Sequence, residues 1–144
     1  MPIKSFRGLI ADGGIDTISL HTNNGAIGYK IKKFELIGND PNVEAESCVQ
    51  IFSTPVTTVP TTIDFSDQTL LAAALYDLSA SQAYNPGTVM IIDNMTFNQD
   101  IHLTHFESKA SQPVNYYIEL EQIRLDLNEN TVATLKDIRN IASQ

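Results

Sequence analysis

The segment Asn115–Asn130, NYYIELEQIRLDLNEN, decides how the chain is read. With Val114 included, its even positions are apolar as far as Leu120 (Val114, Tyr116, Ile118, Leu120). From Ile123 the odd positions take over (Ile123, Leu125, Leu127). A period of two marks a strand with one buried face, because successive side chains point to opposite sides. A one-residue change of phase moves the buried set to the other face, and an extra residue in the ladder produces that change. The spacing therefore predicts a long, bent strand with a β-bulge near Glu121-Gln122. The period then changes. In TVATLKDIRNIASQ (Thr131–Gln144), Val132, Leu135, Ile138 and Ile141 recur every third residue, and Asn128 or Asn130 precedes them as a cap. A short helix is expected over about 130–142. Three turns of helix are marginal alone in water, so this stripe must lie against something. Either it closes one end of the protein's own fold or it docks on a neighbouring subunit.

Outward from this segment the strand signal repeats between tight turns. Ile3–Ile10 runs into Asp12-Gly13-Gly14, a turn signal because glycine tolerates positive φ. Ile15–Thr22 alternates through Ile18 and Leu20, and Asn24-Gly25 suits a type I′ hairpin turn leading to a return strand over about 27–37. An antiparallel hairpin of these two runs is expected. Tyr29 and Ile31 fall in one phase and Phe34 and Leu36 in the other, so a bulge or bend is expected at Lys32-Lys33. Cys48–Ser53 reads as a further strand. Thr54–Thr62, with Pro55 and Pro60, reads as an extended surface connection, since proline cannot donate to a central ladder. Asp67–Leu78, DQTLLAAALYDL, is ambiguous. Its Ala and Leu favour a helix capped by Ser66, its surroundings favour a strand, and strand is the reading adopted. Thr88–Asp93, TVMIID, is a nearly continuous apolar run of the kind found in buried strands. Thr96–Phe106 sets Phe97, Ile101 and Leu103 against Asn98, Asp100, His102 and Thr104.

Seven or eight strands at regular spacing, one terminal helix and no βαβ rhythm make an all-β chain. The expected architecture is an antiparallel β-sandwich, a jelly roll before an immunoglobulin-like arrangement, with a short C-terminal helix. The 144 residues are expected to form one domain over 1–144, with strands over about 3–127. The single cysteine, Cys48, excludes an intramolecular disulfide and suits a reducing compartment. Residues 1–20 show no secretory signal, and the longest apolar run, Leu70–Leu75, falls far short of the roughly 20 residues of a membrane helix. A soluble chain made in a cytoplasm is expected, without membrane contact. A formal charge of −8, with basic residues concentrated only at Lys30–Lys33, counts against direct nucleic-acid binding.

Catalytic and metal chemistry find little support. His102 and His105 are closely spaced, but three residues apart on a strand they face opposite ways, and Asp100 with His102 makes at most half a site. The loops GNDPNVEAE and DNMTFNQD carry oxygen ligands for calcium without a recognised spacing, and turn chemistry accounts for the same residues. Cys48 lies in an apolar strand pattern, where a thiol is ordinary packing. Glu119 and Glu121 share a strand face about 7 Å apart, but without the apolar pocket that a catalytic acid needs. No nucleophile elbow, Walker A or dinucleotide-binding glycine pattern occurs. No enzymatic activity, cofactor or metal is therefore expected. The absence of Trp weakens a sugar-stacking surface without removing it.

IKSFRGLIADGGIDTISLHTNNGAIGYKIKKFEL, IDFSDQTLLAAALYD, FNQDIHLTH and NYYIELEQIRLDLNENTVATLKDIRN together resemble the small structural proteins of marine-bacteriophage virion gene clusters. The resemblance covers nearly the whole chain, least at the Thr/Pro connection and at SASQAYNPG. It implies a non-enzymatic β-sandwich of the virion, a capsid shell or capsid-decorating (cement) subunit, assembled in the host bacterial cytoplasm. Its partners would be further copies of itself and other virion proteins, above all the major capsid protein. It transfers no functional residues; in such proteins the interface is the function. Val132, Leu135, Ile138 and Ile141 are the candidate docking stripe. The alternative is a glycan- or receptor-binding sandwich of a phage tail or fibre.

Overall fold

A computed structural model of the protein describes residues 2–20, 26–78 and 87–125. Its strands are β1 (Ile3–Ile10), β2 (Ile15–Ile18), β3 (Ile27–Gly38), β4 (Ala45–Phe52), β5 (Leu70–Leu78), β6 (Gly87–Ile92), β7 (Ile101–Glu107) and β8 (Val114–Arg124). They form two antiparallel sheets, one in the order β1-β8-β3 and one in the order β2-β7-β4-β5-β6. The two sheets pack face to face, giving the antiparallel β-sandwich that the alternation predicts. The helix expected over 130–142, with Val132, Leu135, Ile138 and Ile141, lies outside the described residues.

Alternation builds the core. Phe34 and Leu36 of β3 and Ile118 and Leu120 of β8 share one buried cluster with Val49 and Ile51 of β4, Ala72 and Ala74 of β5, and Ile101 and Leu103 of β7. Each large side chain so buried contributes about 1.5–3 kcal/mol, which fixes the register of its strand. The same force settles the ambiguous LLAAALYDL. As a strand it places Ala72, Ala74 and Tyr76 in the core, and its ladder to β4 (Ala45↔Leu78 to Phe52↔Leu70) outweighs helix propensity. One end of the sandwich is closed by Tyr29 and Phe97, whose backbones exchange two hydrogen bonds of 2.7 and 3.0 Å and whose rings lie 6.3 Å apart.

Three expectations change. β2 and β3 do not form a hairpin: β2 pairs with β7 in the larger sheet and β3 with β8 in the smaller. A period of two says which face of a strand is buried, not which strand lies beside it. Asn24-Gly25 lies outside the described residues. Second, β8 carries no bulge at Glu121-Gln122, where its registers with both neighbours run unbroken. The extra residue is Lys32 on β3, as its own parity slip predicts, between the pairs Ile31↔Leu120 and Lys33↔Glu119. The apolar residues of β8 change face for another reason. Ile123 stands opposite Gly28, and Leu125 lies over that glycine, where an added Cβ would come within 3.1 Å of Leu125 Cδ2. Third, TVMIID is not enclosed: β6 is the last strand of its sheet.

Candidate interaction surface

The Thr/Pro-rich connection between β4 and β5 folds back onto its own sheet. Its neck is closed by the Ser53 N–H donating to Thr69 O at 2.9 Å. Gln50, buried on β4, donates from Nε2 to Thr62 O at 3.1 Å and pins the middle of the loop. The sequence Asp64-Phe65-Ser66-Asp67-Gln68-Thr69 then makes two successive side-chain turns. Asp64 Oδ1 accepts from the N–H and hydroxyl of Ser66 (2.9 and 2.6 Å), and Asp67 Oδ1 accepts from those of Thr69 (2.9 and 2.6 Å). The Ser66 donors hold the Asp64 carboxyl below its usual pKa. Held this way, Phe65 stands out from the surface, 71% exposed.

Next to it lie the outward residues of β5 and β6. Leu75 is opposite Val89 and Ala73 opposite Ile91; Val89 and Ile91 are 56% and 51% exposed. A groove of about 450 Å³ runs between Phe65 and Ile91, floored by Ala73 and bounded by Asp67, Asp93 and Met95. A second recess of about 380 Å³ joins Ile63, Leu75, Cys48 and Phe106. Phe65, Ile63, Leu75, Val89 and Ile91 thus form an apolar belt across one face of the larger sheet. Scattered exposed apolar residues are normal; here five are grouped on one face, which makes this face the candidate interaction surface.

The residues singled out for chemistry are dispersed. His102 Nδ1 lies 3.0 Å from Thr17 Oγ1, while His105 is completely buried. Its Nδ1 donates to Ile10 O at 3.0 Å, and its Nε2 has no partner among the described residues. Burial lowers the pKa of both histidines, and nearby Asp100 opposes this for His102. Asp100 Oδ1 accepts from the Leu20 N–H at 2.7 Å, and Asp40 Oδ1 accepts from the Asn42 N–H at 2.9 Å. Cys48 is half-buried, and desolvation raises its pKa away from a reactive thiolate. Glu119 accepts from the Tyr117 hydroxyl at 2.7 Å, and Glu121 pairs with Lys32 at 3.4 Å, so the two acids serve separate partners. Among the described residues no three His, Cys, Asp or Glu side chains group to hold a metal ion, and no helix is long and apolar enough to cross a membrane.

The docking stripe Val132, Leu135, Ile138 and Ile141 lies outside the described residues, and the belt of β5, β6 and the 53–69 loop was not singled out from the sequence. A signal was present in TVMIID, whose run of apolar residues has more hydrophobic surface than an edge strand encloses. No known family model matches the chain, and no curated protein matches it.

Proposed function

We propose that the chain is a non-enzymatic virion structural protein, a capsid shell or decoration subunit, which works through contacts with further copies of itself and with other virion proteins, above all the major capsid protein. The observation that carries the proposal is the apolar belt of Phe65, Ile63, Leu75, Val89 and Ile91 on a rigid two-sheet scaffold. A belt of this kind stabilises an assembly by withdrawing its surface from water, at roughly 25 cal/mol per Å². The resemblance of the chain's strand segments to phage virion proteins supplies the setting, and its net charge of −8 favours protein partners over nucleic acid. The strand neighbours fit a jelly roll, with β1-β8-β3 facing β2-β7-β4-β5. A jelly roll would set β6 beside β3; here β6 pairs with β5 in the larger sheet.

Mass spectrometry and immunogold labelling of purified phage particles test this. The chain is expected in many copies per particle and on the particle surface or shell. Its absence from purified particles would overturn the proposal. The exposed Phe65 ring, set among Asp64, Ser66 and Gln68, gives a second reading as a glycan-binding domain of a tail or fibre. Binding on a glycan array that a Phe65→Ala variant loses would select it.

A further inference from the structure

We infer that the outer edge of β6 pairs antiparallel with the β6 edge of a second copy about a two-fold axis, so that the two larger sheets become one continuous sheet. This rests on the reading of the chain as an assembling subunit and specifies the surface it uses.

The first support is a comparison of the four edges of the two sheets. A strand edge offers a row of unpaired N–H and C=O groups, and natural sheets guard such edges with charge, bulges or brevity. β2 is four residues long and contains Asp16. β1 carries Lys4 and Arg7. β3 carries Lys30, Lys32, Lys33 and Glu35 and is bent by its bulge at Lys32. β6, Gly-Thr-Val-Met-Ile-Ile, has no charge, no proline and no register shift, and among the described residues it takes no strand partner besides β5. Among the described residues, three edges carry charge, a bulge or brevity as a guard and the β6 edge carries none.

The second support is the mismatch between sequence and exposure. A near-continuous apolar strand is the pattern of one covered on both faces. Met90 and Ile92 pack against the core, yet Val89 and Ile91 stay more than half exposed. A second strand alongside them gives each an apolar cross-strand neighbour and takes part of that surface from water.

Third, β6 is complementary to itself. Continuity of the outer face requires residues of equal parity to stand opposite one another. With Met90 on the two-fold axis, Val89 of each copy stands against Ile91 of the other, an apolar β-branched pair on the same face as Leu75. Asp93, the nearest acid, then lies at opposite ends of the paired strands. The two Asp93 residues are about 20 Å apart along the strand direction. Asp93 of each copy also stands opposite Gly87 of the other, and so about 10 Å from that copy's Asp77, a separation of about one Debye length at which the repulsion is weakened at physiological salt. A parallel pairing would place the two Asp93 residues side by side.

Sedimentation velocity on the full chain, with variants in the same buffer, tests the pairing. A dimer is expected, and Val89→Lys, at an exposed position, should raise its dissociation constant by at least about tenfold while far-UV circular dichroism stays unchanged. In a Cys48→Ser background, Met90→Cys should form an intermolecular disulfide under mild oxidation, because residue 90 lies beside its own copy at the axis. An oligomer unaffected by Val89→Lys and Ile91→Lys would overturn edge pairing but leave the assembly reading in place. A monomer that dimerises only when residues 126–144 are removed would also overturn it, since the chain's own C-terminal segment would then occupy the edge. A chain monomeric in every form would overturn the pairing too, and particle mass spectrometry would then decide separately whether the chain belongs to the virion.

Discussion

The Tyr116 hydroxyl on β8 donates to Asp16 Oδ2 on β2 at 3.1 Å, tying the smaller sheet to the larger. To do so its ring crosses over Gly8 on β1, its cross-strand partner, where an added Cβ would sit 2.8 Å from Tyr116 Oη. Burial first, then the Asp16 carboxylate, pushes the phenol up to about 12, so the link keeps its proton throughout the physiological range. Tyr116→Phe is expected to cost about 1 kcal/mol in chemical denaturation. Gly8→Ala is expected to cost about 2 kcal/mol, because the ring must shift. The two should be non-additive, since the lost Oη is the atom nearest the new methyl group.

Glu107 ends β7 as a buried carboxylate. Its oxygens accept backbone N–H groups from Glu46 (2.9 Å), Lys109 (2.7 Å), Ala110 (2.7 Å) and Gln112 (2.9 Å). Burial alone would raise its pKa, but these four donors outweigh burial and lower it from 4.5 to about 2. A carboxylate with a depressed pKa stabilises the fold fully above 4.5 and loses that contribution as pH falls towards 2. Glu107→Gln should cost on the order of 2 kcal/mol at neutral pH and flatten the acid limb of the stability curve between pH 4.5 and 2. Denaturant titrations across that window measure both effects.

The buried His105 responds in the same direction at higher pH. Its carbonyl partner Ile10 O accepts a hydrogen bond from Nδ1–H, so further protonation must fall on the enclosed Nε2. Desolvation lowers its pKa from 6.5, against the pull of the Ala11 and Ile10 carbonyls and of Asp12 and Glu107. The folded state therefore binds fewer protons than the unfolded one below pH 6.5, and stability falls as pH drops through that value. Replacement by an uncharged side chain, His105→Gln, should lower stability at pH 7.5 and remove the part of the slope that begins near 6.5.

Lys32 separates side-chain chemistry from strand register. Lys32→Ala removes an exposed ion pair with Glu121 and should change stability by less than about 1 kcal/mol. Deleting Lys32 would turn the buried Tyr29 and Ile31 to the outer face or force a new ladder. It should cost at least about 3 kcal/mol in the same denaturation assay.

Burial was legible in the residues, but neighbours were not. The even positions from Val114 to Leu120 fixed the inner face of β8, and the slip from Ile31 to Phe34 located the Lys32 bulge, because each follows from a period of two. The supposed β2–β3 hairpin failed because β2 and β3 satisfy their alternation equally well in different sheets. The change of face in β8 came from space above Gly28, a property of three-dimensional packing that strand parity does not encode. The exposed apolar belt escaped notice for a related reason. An apolar run such as TVMIID says that a strand is apolar on both faces, not that both faces are covered.

The account holds that the β6 edge is where one copy meets the next. Amide hydrogen exchange of the purified chain, followed by mass spectrometry at low and high protein concentration, addresses this directly. Peptides covering Gly87–Ile92 should gain protection as concentration rises, while those of β1 and β3 stay unchanged. Exchange in Gly87–Ile92 that is independent of concentration, or protection that appears on β1 or β3 instead, would contradict it.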